Sequence, residues 1–129
     1  MAMAGRWGFT LTGSILLPSG PVPGAAVGQF TADEMGNIVG TEQRNVGGAF
    51  ANESIRGKWS INRNCTTRFT AKIYDQTGAL VRTSVLDAVF VSNGSALRSV
   101  QESLTLPDGS TLPVVVTIEA NRVSQSDGD

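Results

Sequence analysis

The chain has 129 residues, 40% hydrophobic and 16% charged, enough for one domain whose core needs no metal or disulfide to hold it. A formal net charge of -1, with ten scattered Lys and Arg residues, gives no electrostatic footprint for nucleic acid or an anionic membrane surface. There is no histidine and only one cysteine, Cys65. That excludes Ser-His-Asp and Cys-His catalysis, histidine- or thiolate-built metal centres and an internal disulfide.

Turn signals recur along the whole chain: Leu17 to Pro21, Asp33 to Asn37, Val46 to Gly48, Asn62 to Asn64, Asp75 to Gly78, Ser92 to Ser95 and Pro107 to Ser110. Their centres lie about 14 to 16 residues apart, so each interval holds one strand of about nine to eleven residues plus its turn. Such a rhythm predicts an all-β fold, an eight-stranded up-and-down antiparallel β-barrel with little or no helix. The first strand, Trp7 to Leu16, sets Trp7, Phe9, Leu11 and Ile15 on one face and Gly8, Thr10, Thr12 and Ser14 on the other. The proline-rich run Pro18 to Gly24 reads as a long connection, because successive prolines cannot feed a sheet ladder. The second strand, Ala25 to Thr31, has Val27 and Phe30 in opposite registers, which points to a bulge.

The third strand, Asn37 to Arg44, puts Glu42 and Arg44 on the face of Ile38. The fourth, Ser54 to Ile61, aligns Ile55, Trp59 and Ile61 against Arg56, Lys58 and Ser60. The fifth, Cys65 to Tyr74, aligns Cys65, Phe69, Ala71 and Ile73, with the cysteine as a buried free thiol. The sixth, Leu80 to Val91, is apolar on both faces and so reads as a buried strand or one whose outer face meets a partner. Strict alternation in the seventh, Leu97 to Leu104, groups Arg98, Val100, Glu102 and Leu104. The eighth, Leu112 to Val123, groups Val114, Val116, Ile118 and Ala120 and ends at Arg122. Residues 1–129 read as a single domain with an ordered core of about 6–123 and a polar tail, 124–129. An immunoglobulin-type sandwich is the rival, but its Cys-Trp-Cys core is missing.

The segments Asp33 to Thr41, Gly57 to Thr66 and Phe90 to Arg98 resemble the hairpins of a group of small, uncharacterised bacterial β-barrel proteins, many of them exported. The motifs are turn and strand motifs, so the resemblance implies a fold and transfers no catalytic residue. Gly5-Arg6-Trp7 resembles the G-x-W that opens lipocalin-type barrels. There the tryptophan plugs one barrel end under a late arginine, a place Arg122 could take here. The C-terminal helix of lipocalins is missing. A wider likeness extends to allene-oxide-cyclase-type barrels.

Charged residues on faces that otherwise look inward, Glu42 and Arg44, Arg98 and Glu102, with Asp87, Glu119 and Arg122, are candidates to converge in a barrel lumen. Buried carboxylates beside arginines acquire the shifted pKa values that proton transfer needs. The alternative places them as exposed pairs on the rims and outer wall. Trp7, Phe9, Trp59, Phe69 and Phe90 are the candidate apolar lining, or else simply fill the barrel. The expected function is binding of a small apolar or amphipathic molecule, with no cofactor, no metal, no nucleic acid and no integral membrane segment. A cofactor-free cyclase or isomerase is the alternative, and a structural module that forms a homo-oligomer is the third. Residues 1–5 lack the basic-then-apolar order of a signal peptide. The compartment therefore stays open between the cytoplasm and export with a leader already removed.

Overall fold

The computed structural model describes residues 3–123; the tail 124–129 lies outside the described residues. The strands are β1 (Gly5–Leu17), β2 (Gly20–Ala32), β3 (Asn37–Val46), β4 (Ala49–Ile61), β5 (Thr67–Tyr74), β6 (Leu80–Val91), β7 (Ala96–Thr105), β8 (Thr111–Leu112) and β9 (Val114–Arg122). Successive strands pair antiparallel from β1 to β7, β9 returns to pair with both β7 and β1, and the sheet closes. The result is an eight-stranded up-and-down barrel whose last strand is interrupted at Pro113, between β8 and β9. Among the described residues the only helical element is a 3-10 turn, Ser92–Gly94.

Two local expectations are corrected. Pro21 and Pro23 lie inside β2, paired with Leu16 and Ser14 of β1, across a two-residue turn. They are tolerated because β3 pairs only from Gly24 onward. The Pro23 carbonyl accepts a bond from the Gly47 N–H in the β3 turn, 2.9 Å away, so the missing N–H of Pro23 falls on that same side, beyond the end of the β3 ladder. There is also no bulge in β2. Its burial alternates without a break, with Ala26, Phe30 and Ala32 inward and Val27 exposed on the outer wall.

Bulges occur instead on two other strands. In β6, Ile73 of β5 faces Arg82 while Tyr74 faces Leu80, so Val81 is the extra residue. In β7, Leu86 faces Gln101 while Val85 faces Ser103, so Glu102 is the extra residue. The second bulge switches the phase of β7: Leu97 and Gln101 are buried before it and Leu104 after it. Counting back from Leu104 in strict alternation therefore puts the wrong side chains inside. Arg98, Val100 and Glu102 project outward. The sixth strand turns Ser84, Leu86, Ala88 and Phe90 to the interior, while Val89 is exposed outside.

Cys65 is likewise corrected. β5 begins at Thr67, and Cys65 sits exposed in the preceding turn with φ 65°. The left-handed backbone there takes it off the strand face.

The end of the barrel where β1 starts is plugged. Trp7 is fully buried, stacked on Phe30 at 6.3 Å between ring centroids and tilted against Phe90 at the same distance. Its indole Nε1 donates to the Met3 carbonyl at 2.9 Å. The Arg122 guanidinium lies 4.4 Å over the ring and donates to the carbonyls of Gly94 and Ala4. Inward-facing glycines let the strands crowd as the sheet curls. A Cβ on Gly28 would meet the Thr41 carbonyl oxygen at 2.4 Å and the Phe9 ring at 2.7 Å.

Candidate functional site

Above this plug the barrel is not filled. A cavity of about 380 Å³ is lined at depth by Phe9, Phe30, Phe69, Leu86, Leu97 and Ala120. Toward the opposite end, where the Pro18-Ser19, Gly47-Gly48, Asp75–Gly78 and Leu106–Ser110 turns lie, Ile15, Val46, Leu106 and Val114 complete the wall. Glu42, Arg44 and Arg82 break this apolar lining.

The register explains how they meet. Glu42 faces Glu53 directly across the β3–β4 ladder. Both point inward with their carboxyl side chains only 4% and 1% exposed. Two adjacent buried carboxylates repel unless cations intervene or one of them keeps its proton, and here two arginines reach the pair. Arg82 reaches from β6 past β5: its Nη2 donates to Glu53 Oε1 at 2.7 Å and Glu42 Oε2 at 2.9 Å, and its Nη1 donates to Glu53 Oε2 at 3.1 Å. Arg44 adds an Nε bond to Glu53 Oε2 at 3.1 Å and an Nη1 bond to the Ala49 carbonyl at 2.8 Å.

The two carboxyls then separate in acidity. Burial, reinforced by a hydrogen bond to Glu53, pushes Glu42 up to about 7 against the pull of Arg82. Burial works against ionisation at Glu53 too, but the bonds from Arg82, Glu42 and Arg44 outweigh it and hold that carboxyl at about 2. Glu53 is the fixed anion of the group and Glu42 its titrating member.

The sign of the linkage follows for each. Glu42, raised in the fold, contributes stability that is present below its unfolded value near 4.5 and is lost as pH climbs to about 7. Glu53, depressed in the fold, contributes stability that is lost as pH falls from 4.5 toward 2. Stability should therefore peak near pH 4.5 to 5 and fall by roughly 3 kcal/mol on the way to neutrality. In Glu42→Gln the neutral limb should flatten. Urea midpoints across this range check it, and an unchanged slope in Glu42→Gln would mean another group titrates.

A second polar strip lies on β6 and β7. Gln101 Nε2 donates to Ser84 Oγ and to the Ser103 carbonyl, each at 3.0 Å. Ser99 Oγ is buried in the cavity wall without a hydrogen-bond partner among the described residues.

Of the residues singled out in the sequence, Phe9, Phe69, Glu42 and Arg44 line the cavity. Trp7 lies in the plug beneath it. Trp59 is half-buried at the plugged end, where its Nε1 donates to the Asp33 carbonyl at 3.0 Å. Arg98 and Glu102 belong to the outer wall, in exposed pairs with Glu119 (3.8 Å) and Arg68 (2.6 Å). Asp87 is 4.0 Å from the same Arg68. Arg98→Ala and Glu102→Ala should each change unfolding free energy by less than about 1 kcal/mol. A larger loss in either variant would return that residue to a structural role.

Glu53 and Arg82, the centre of the polar group, were not anticipated. The predicted fourth strand starts one residue after Glu53, although β4 begins at Ala49. Arg82 lies on a strand whose apolar run dominated its reading. The usable signal was parity: Glu53 shares the phase of Ile55, and Arg82 that of Leu86.

No protein-family model and no curated protein matches the sequence. Among solved structures, the chain is similar to a candidate AttH (NE1406) of Nitrosomonas europaea, at 9% identity and a TM-score of 0.45 over 97% of this chain. This chain spans about half of that one (53%). It is also similar to Rv2717c of M. tuberculosis, at 11% identity and a TM-score of 0.44, covering 95% of this chain and 93% of that one. At such identities the likeness extends to no functional residue.

Proposed function

We propose that the chain is a small-molecule-binding β-barrel, a lipocalin-like cup for an apolar or amphipathic ligand. The observation that carries this reading is the unfilled lumen of about 380 Å³, plugged at one end and apolar in most of its lining. Small-molecule sites have this size and character, with a few fixed polar groups to orient the ligand. The Trp7–Arg122 stack supports the reading by closing the floor of the cup.

Native mass spectrometry tests it on chain isolated without denaturant. The expected spectrum carries one low-mass molecule per chain, released by organic solvent and restored by adding an apolar compound. A bare chain that also takes up no added apolar compound would remove the proposal.

Glu42 favours a second reading, a cofactor-free isomerase or cyclase. A carboxyl that titrates near neutrality in the wall of an apolar cavity is suited to donate or accept a proton on a bound substrate. Under that reading Glu42→Gln binds substrate and does not turn it over.

A further inference from the structure

We propose that the ligand is a monoanionic amphiphile, its carboxylate held by Arg44 and Arg82 near the open end and its hydrocarbon chain directed toward Phe9, Phe30 and Phe69. This rests on the binding reading above and specifies it.

Three observations carry it. First, the cations face the cavity while their internal counter-ion is hidden. The Arg44 and Arg82 side chains are 24% and 20% exposed and line the cavity, whereas Glu53 is 1% exposed and is not part of the lining. Second, the guanidiniums are not used up. Arg44 commits Nε and one Nη1 hydrogen, and Arg82 commits Nη1 once and Nη2 twice. Both Nη2 hydrogens of Arg44 and the Nε hydrogen of Arg82 have no partner among the described residues. Guanidinium donors matched to a carboxylate give short, charge-assisted bonds that a neutral head group cannot equal. Third, the group carries excess positive charge. Burial keeps a proton on Glu42 below about pH 7, so two guanidiniums face one ionised carboxylate.

The neighbouring strands supply no competing charge at this level. β2 presents Ala26 and Gly28, and β5 presents Ala71 and Ile73. The carboxylates of the nearby turns are engaged locally, Asp75 by Thr77 and Ala79 and Asp108 by Ser110. One surplus positive charge suits a single carboxylate better than a dianion. A cationic head group would meet like charge.

The test compares dodecanoate, dodecanol and dodecyltrimethylammonium, which share one tail, in displacing the neutral dye N-phenyl-1-naphthylamine at about pH 6, below the Glu42 value. Dodecanoate should displace the dye at a concentration about tenfold or more below that of dodecanol, as hydrogen bonds to a charged group allow. The ammonium compound should be weakest. Arg44→Gln should narrow the gap between dodecanoate and dodecanol. If dodecanol matches dodecanoate on the native chain, the anion proposal fails while the binding cavity stands. If the dye itself does not bind, both fail. Because the comparison is made on the unaltered chain, it holds even if an arginine variant does not fold.

Discussion

Replacing Arg82 with methionine is expected to lower the unfolding free energy by about 3 to 5 kcal/mol. The side chain supplies three of the bonds that hold Glu42 and Glu53 in the barrel. Without it, two inward carboxyls less than a twentieth exposed keep only Arg44 as a cation. Breaking a buried ion group in this way costs more than the group contributes net, because the surviving charge is stranded. Urea denaturation at neutral pH reads the effect. Adding Glu53→Gln to Arg82→Met should recover much of the loss, since the stranded anion is then removed. A loss below about 1 kcal/mol in Arg82→Met would mean that water already solvates the carboxylates and the group is not buried.

Trp7→Ala should cost about 3 to 5 kcal/mol. The ring is fully buried, packs on Phe30 and Phe90, and carries the Arg122 guanidinium on its face. Removing it opens the plugged end and takes away the ring on which the Arg122 guanidinium lies. Trp59→Ala, at the half-buried rim, should cost less. Equal losses in the two variants would contradict the assignment of Trp7 to the floor and Trp59 to the rim.

The architecture was legible because turns in this chain are written in local chemistry. The Asp33, Asp75 and Asp108 carboxylates accept backbone N–H bonds within their own turns, and Gly36, Gly78 and Gly109 take the left-handed conformations that follow. Strand faces were legible wherever alternation ran unbroken, as in β1, β3 and β9, and that alternation is what turns Glu42 and Arg44 of β3 toward the cavity. Bulges left no such trace. Glu102 looks like any other residue of its strand, yet its extra place in the β7 ladder sends Arg98 outside. The partnership of Arg82 with Glu53 was beyond reach for a different reason. It joins β6 to β4 across β5, a contact set by barrel closure and strand stagger rather than by sequence spacing.

The most direct test of the account is whether a small molecule enters the lumen. Ala26 is buried, points inward and lines the cavity, so Ala26→Phe places a ring in that space. Titration with N-phenyl-1-naphthylamine should give a saturable rise in emission at one dye per native chain. The rise should be absent in Ala26→Phe while its circular dichroism stays that of the folded barrel. Equal emission in the native chain and a folded Ala26→Phe would place the dye on the outer wall and contradict a binding cavity.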